Sequence, residues 1–495
     1  MNRFTPFVLL GVVSLAACAD DPVEPPRELQ TAFNASIATP ATQLVVFEGS
    51  SIPADFGARV TALGGRVEQA LNPVGVAFVS GLDAASSAAL KAQAGIRFME
   101  PDVVLPLVRP TLYEKVMDAA PQSPAQPGTA RFHYLQWHHR QIGAPAAWAA
   151  GKLGSPDVRV GIIDTGLDYV HPDLVGLVDL ARSRSFLPSE DSVVAKYLGA
   201  HPVYDLQGHG THVGSTVSSN ATITAGVTSK VQLVGLKVCR SEIPGLTGAG
   251  CPASATFAAL IYAADNGIDV VNLSLGGLFT RRGSGGYEET VNRVFNYAKA
   301  KQLTVVVSAG NSNVDLDRGI VPTEVVSEDG KDTTMVDIQY PSLYATYCSS
   351  THTICVSATG PASATNSQSG PWFDIDSKAS YSNYGRDGID VAAPGGTNAG
   401  AVWAACPTYL VAQLSATSWG AFIDGYCRQY PVGMGGTSMA APHVTALAAL
   451  LVERHGRNPD KIAEAIRKYS DDLGEPGNDP IYGKGRINVA RALGL

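Results

Sequence analysis

From Val158 onward, short wholly apolar runs alternate with amphipathic stretches of helical length, and this pattern restricts the fold more than any other feature of the chain. The runs predict strands over 158–163, 231–238, 268–275, 303–308 and 353–358. Helices are predicted over 253–266, 288–301, 439–455 and 459–469. Strands apolar on both faces and separated by helices imply a parallel sheet covered on each side, hence the α/β class. Such a sheet places ligands beyond the carboxyl ends of its strands. With 495 residues the chain is long enough for a large core and for more than one domain.

The polar residues of interest fall at those strand ends or at helix starts. Asp164 follows Val160-Gly161-Ile162-Ile163 directly and precedes Thr165-Gly166. An Asp after a strand also serves as a turn former or helix cap. His209 and His212 lie in Gly208-His209-Gly210-Thr211-His212-Val213. No acidic residue or third His accompanies them at helical spacing, which argues against zinc. Ser438 stands in Gly435-Gly436-Thr437-Ser438-Met439-Ala440-Ala441-Pro442-His443, just before a long apolar helix. It could cap that helix, but capping does not need the surrounding glycines.

Together these segments resemble the subtilisin-like serine peptidases, over nearly everything from Trp137 to Leu495. The order Asp, His, Ser is that family's order. The resemblance implies a subtilisin-like parallel sheet and a serine endopeptidase activity. Ser438 would be the nucleophile, His209 the base and Asp164 the residue that orients the imidazole. Asn311, in Ser308-Ala309-Gly310-Asn311-Ser312, would donate to the oxyanion. Ser274, Leu275, Gly276 and Gly277 resemble the segment on which an extended peptide adds as a strand. Tyr340, in Tyr340-Pro341-Ser342, resembles the far wall of the specificity pocket. Ser312, where a charged residue would direct charge preference, points to a neutral or apolar side chain before the cut bond. No cofactor is required for this chemistry. Relatives commonly bind structural calcium and Asp173 matches one ligand position, although the loop near residues 220–224 is shortened where other ligands would lie.

Residues 43–108 form a separate pattern of strands and two helices, 54–63 and 84–94, suggesting a small ferredoxin-like α+β unit. The resemblance reinterprets it as the family's inhibitor-type prodomain, an intramolecular inhibitor. Residues 109–134 follow as a processing linker, rich in Pro and small polar residues between 119 and 128, where a protease would cut. The catalytic domain then runs over 135–495. At the other end, a cationic start and a short apolar run over residues 7–17 read as an export signal over 1–17. It closes on Leu15-Ala16-Ala17-Cys18, which resembles a lipoprotein lipobox with Cys18 as the lipidated residue. Residues 18–42 would be the tether. The expected location is the cell envelope, outer membrane or periplasm, and the medium after processing. Contact with a membrane is expected only through that lipid.

Charge and cysteine count narrow the partners. Asp and Glu number 44 against 36 Lys and Arg, a net charge of −8, which excludes a phosphate-gripping nucleic-acid binder. Protein or peptide substrates and a monomer are expected instead. With Cys18 assigned to lipid, six of the seven cysteines remain. Several connectivities are open to six. Neighbours pair most simply: Cys239 with Cys251, Cys348 with Cys355, and Cys406 with Cys427. Each short loop so closed would add roughly 2–4 kcal/mol. Residues 313–338, 348–355 and 396–430 read as insertions. Two other functions remain open to the same residues: a catalytically silent peptide binder, and a ligase or cyclase working through the same acyl-enzyme.

Overall fold

The computed structural model describes residues 42–106, 112–115, 126–240, 250–280, 285–326, 333–339, 343–408 and 427–495. The N-terminal unit consists of β1 (Gln43–Phe47), α1 (Phe56–Ala62), β2 (Arg66–Leu71), β3 (Val76–Ser80), α2 (Ala84–Lys91) and β4 (Ile96–Pro101). Its antiparallel sheet has the order β2-β3-β1-β4, the split βαβ arrangement. Alternation along the strands divides their side chains between two cores. Val45, Phe47, Ala77 and Val79 pack under α1 and α2 with Phe56, Val60 and Leu90. Leu44, Val46, Val76 and Phe78 face the large domain and join its core.

Two short strands follow, β5 (Val104–Pro106) and β6 (Leu112–Lys115), and then helix α3 (Trp137–Gln141). The large domain is built on β7 (Arg159–Asp164), helix α4 (Pro188–Leu198), helix α5 (His209–Val217) and β8 (Gln232–Lys237). Next come β9 (Gly250–Pro252), α6 (Ala253–Asp265), β10 (Val270–Leu273), α7 (Gly285–Ala300) and β11 (Thr304–Ser308). The chain continues through the hairpin β12 (Ile320–Val326) and β13 (Thr333–Gln339) to β14 (Ile354–Gly360) and β15 (Val391–Pro394). It ends with β16 (Val402–Ala404), β17 (Val432–Gly435), α8 (Thr437–His455) and α9 (Pro459–Lys468), then a short helix at Val489–Leu493.

The central sheet runs β14-β11-β10-β7-β8, all parallel, with β15 parallel to β14. Two-residue strands extend its edges, Ser377–Lys378 antiparallel and Arg184–Ser185 parallel. The middle strands are buried along nearly their whole length. That explains why they read as unbroken apolar runs, since helices cover both faces. Helix α8 crosses one face and is itself buried from Thr437 to Leu451.

The N-terminal unit sits against the opposite face, over α6 and α7. Two of its carboxylates meet the amino ends of those helices. Glu100 accepts hydrogen bonds from Gly286 N (2.9 Å) and Tyr287 N (3.3 Å). Asp102 accepts from Ser254 Oγ (2.6 Å) and Ser254 N (3.3 Å), and the neighbouring Val103 carbonyl accepts from Ala253 N (2.7 Å). Negative charge at a helix amino end is stabilised by the free N–H groups and the dipole. Arg293 of α7 reaches back to the carbonyl oxygens of Gly49 (3.0 Å) and Val74 (3.1 Å). All three expected disulfides are present: Cys239–Cys251, Cys348–Cys355 and Cys406–Cys427. No helix among the described residues is long and apolar enough to cross a membrane.

Candidate active site

Asp164 is the last residue of β7 and His209 the first of α5, so each hangs from the end of a rigid element. Both are fully buried. His209 Nδ1 lies 2.8 Å from Asp164 Oδ1 and 2.9 Å from Oδ2. Oδ1 also accepts from Thr165 N at 2.7 Å. A carboxylate so placed keeps the proton on Nδ1 and leaves Nε2 as a lone pair. In keeping with that, His209 Nε2 is buried and makes no hydrogen bond within the protein. The glycine after His209 is required sterically, because a Cβ on Gly210 would collide with the carbonyl oxygen of Gly166. Helix α5 can approach the turn after Asp164 only without a side chain there.

His212 is one turn further along α5 and points into the core, its Nε2 3.1 Å from the Val402 carbonyl. Burial, and then the neighbouring His209, push its pKa down to about 3. It is therefore a structural residue.

Ser438 is the second residue of α8, and it lines a cleft of about 200 Å³. Its hydroxyl donates to the Ser274 carbonyl at 3.2 Å, so in this rotamer the hydroxyl is turned away from His209. The backbone answers in kind: Ser274 Oγ donates to the Ser438 carbonyl at 2.8 Å. Asn311, at the turn after β11, accepts from Thr437 N (2.9 Å) and Thr437 Oγ1 (2.7 Å) through Oδ1. With its oxygen so engaged, the Asn311 amide NH2 is left to donate into the cleft beside Ser438. Together with backbone N–H groups at the start of α8, this is a set of donors for a developing oxyanion.

One wall of the cleft is Ser274, Leu275, Gly276 and Gly277, as the sequence suggests, and the other is the 308–312 segment. Tyr340 lies outside the described residues, as do Cys18 and the 119–125 part of the linker. Among the described residues the cleft is also lined by Ala345, Thr346 and Asn383, which sequence reasoning did not pick out. Thr346 Oγ1 accepts from Gly277 N at 2.6 Å and fixes the edge segment. Asn383 Oδ1 accepts from Ser312 N (3.1 Å) and Val314 N (2.9 Å), while its amide donates to Ala309 O (2.8 Å). It thereby holds the loop that carries Asn311. No short string marks either residue, because each acts through a contact distant in sequence.

The calcium expectation at Asp173 does not fit. Its buried carboxylate accepts from Ile223 N (2.7 Å), Thr224 N (2.9 Å) and Thr224 Oγ1 (2.9 Å). It belongs to no cluster of three or more ligating side chains among the described residues. Backbone and hydroxyl donors hold the short loop in place where a hard cation would need several oxygen ligands.

The arrangement can activate a serine hydroxyl and stabilise negative charge on a carbonyl oxygen, the two requirements of acyl transfer. Comparison with known proteins agrees. Residues 155–485 match the family model for the subtilase family of peptidases. Thermitase from Thermoactinomyces vulgaris is 29% identical over 370 residues, covering 74% of this chain and 99% of the relative. Subtilisin E from Bacillus subtilis is also 29% identical, over 71% of this chain and 69% of the relative. Among solved structures, the epidermin leader peptide processing serine protease of Staphylococcus aureus has the same fold. It superposes with a TM-score of 0.65 over 92% of this chain and 99% of that one, at 18% identity. With two thirds of its length matching one peptidase family, the chain belongs to the subtilases and is a serine endopeptidase.

Proposed function

We propose that the protein is an exported endopeptidase made as a self-processing zymogen, with Asp164, His209 and Ser438 as its triad. Ser438 turns from Ser274 toward His209 Nε2, which takes the hydroxyl proton as Oγ attacks the substrate carbonyl. Asp164 holds the resulting imidazolium. Asn311 and the Ser438 backbone N–H stabilise the oxyanion, and His209 then gives its proton to the leaving amine. Water attacks the acyl-enzyme with His209 again as base. Loss of the Asn311 amide, as in Asn311→Ala, should lower kcat by about 10²- to 10³-fold, the magnitude known for this donor in subtilisin. KM should change little, and steady-state kinetics on a peptide anilide will check the split.

One observation carries the zymogen reading: the chain on either side of residues 107–111 is paired with strands that lie beside the cleft. Strand β5 pairs antiparallel with β9, and Leu105, buried, touches the position of Gly277 on the edge segment. Strand β6 pairs antiparallel with β17, whose last residue is separated from Ser438 only by Gly436 and Thr437. The two strands bracket the nucleophile as an extended substrate would. The bond cut in self-processing therefore lies within the 107–111 stretch or at its ends, upstream of the Pro-rich segment at 119–128. Edman sequencing of the matured enzyme should give a first residue between 107 and 112. A first residue beyond 119 would contradict this placement.

Residues 43–106 then act as the inhibitor that stays bound after the cut. The carboxylates of Glu100 and Asp102 on two helix amino ends, and the shared core over α6 and α7, support this role. Each charge at a helix end is worth roughly 0.3–2 kcal/mol. The double change Glu100→Gln, Asp102→Asn should make activity appear about tenfold sooner after processing, in a time course of peptide cleavage. Cys18 would carry the lipid that holds the precursor at the cell envelope, and self-processing would free the catalytic domain from that tether.

A further inference from the structure

Away from the cleft, α3 crosses α8 and brings three imidazoles together. His138 and His139 are adjacent on α3, and His443 lies on α8 five residues after Ser438. All three are completely buried. One ring nitrogen of each lies within 4.8 Å of the other two. His443 Nδ1 donates to the Met439 carbonyl at 2.8 Å, so its Nε2 carries a lone pair. That Nε2 is 2.9 Å from His138 Nδ1, and His138 Nε2 is 3.3 Å from the Trp403 N–H. His139 is different. Neither of its ring nitrogens has a hydrogen-bond partner, although the ring is buried between Trp148, with centroids 5.2 Å apart, and His138, 4.3 Å away. Buried polar atoms are normally paired. A leucine would fill the same space without leaving two nitrogens desolvated.

We propose that His138, His139 and His443 bind one late first-row transition-metal ion, zinc or copper. The donors are three neutral nitrogens with no carboxylate in the cluster. This set suits zinc or copper and not calcium or magnesium, which take oxygen ligands. Burial depresses the proton affinity of all three rings and keeps them in the neutral form that ligates. Ligand bonds of about 2.0–2.1 Å need nitrogens roughly 3.3 Å apart, so small ring rotations close the cluster on an ion. The His443 Nδ1–H to Met439 carbonyl bond is the outer contact that fixes the ligating tautomer.

Binding exchanges the hydrogen bond between His138 and His443 for two metal–nitrogen bonds. The His138 proton moves from Nδ1 to Nε2, the 3.3 Å contact with Trp403 is given up, and no proton leaves the site. The ion would be taken up during folding, because the cluster is closed to solvent. It would pin α3 to the helix that carries the nucleophile.

The test uses the full chain, denatured in chelator and refolded with either Zn2+ or, under ascorbate, Cu+ as the sole metal. After desalting, metal content is read by inductively coupled plasma mass spectrometry. About one ion per chain is expected with one of the two metals, together with a raised thermal midpoint. His139→Leu should fold, since it removes no hydrogen bond, and should hold less than about a tenth of an ion with no metal-dependent shift. Less than about a tenth of an ion in the wild type with both metals would overturn the proposal. So would equal loading in folded His139→Leu. If that variant does not fold, X-ray absorption on the loaded wild type decides: a three-imidazole shell supports the site, and an oxygen or sulfur shell overturns it.

Discussion

Ser438→Ala is expected to lower peptide hydrolysis by on the order of 10⁶-fold and to leave the precursor uncut. The serine is not part of the packing that sets the fold. Its hydroxyl makes one hydrogen bond, to the Ser274 carbonyl, and the reciprocal bond from Ser274 Oγ goes to the Ser438 backbone, which alanine retains. Helix α8 is held instead by its buried apolar residues from Met439 to Leu451. Folding and the three disulfides should therefore survive while chemistry is lost. Because the proposed processing bond lies over the same nucleophile, the variant should run as a single full-length band. A variant that still matures in isolation would mean that another residue, or another protease, makes the cut.

Asp164→Asn is expected to reduce kcat by roughly 10⁴-fold with the fold intact. The reason is the tautomer. Asp164 accepts from His209 Nδ1 through both oxygens and from Thr165 N. In asparagine one oxygen remains for Thr165 N and the amide NH2 faces the imidazole. Nδ1 must then accept, which places the ring proton on Nε2, and Nε2 can no longer take the proton of Ser438. Activity should recover in part at high pH, where hydroxide substitutes for the missing base. A pH–rate profile of the variant, compared with that of the wild type, separates this from a simple loss of folded protein.

Much of this site is legible in the sequence for a physical reason. Asp164 and Asn311 sit where apolar strands end and Ser438 where an apolar helix begins, boundaries set by local patterning, whereas His209 is marked by its glycine-flanked string and not by a predicted helix. The glycines beside them report close backbone approach, as at Gly210. The remainder depends on contacts that no local pattern encodes. Thr346 and Asn383 shape the cleft by hydrogen bonds spanning 69 and 71 residues of sequence. Strand β2, with the alternating and mostly polar sequence Arg66-Val67-Glu68-Gln69-Ala70-Leu71, is visible only once β3 is beside it. Helix α4 is equally quiet, yet its Glu190 pairs with Lys237 at 2.8 Å in the interior. A buried ion pair of this kind depends on both partners being placed. At residues 220–224 the matching Asp173 pointed to calcium and the shortened loop pointed away from it; the Asp173 carboxylate accepts from three donors of that loop.

Ser438, activated by His209, is the proposed nucleophile of this subtilase. Reaction of the matured enzyme with a fluorophosphonate probe, followed by proteolytic digestion and tandem mass spectrometry, tests it most directly. One phosphonate per chain is expected, on the peptide containing Gly436-Thr437-Ser438-Met439, and none after prior denaturation or in His209→Ala. An adduct on a different serine, or no adduct on folded and processed protein, would contradict it.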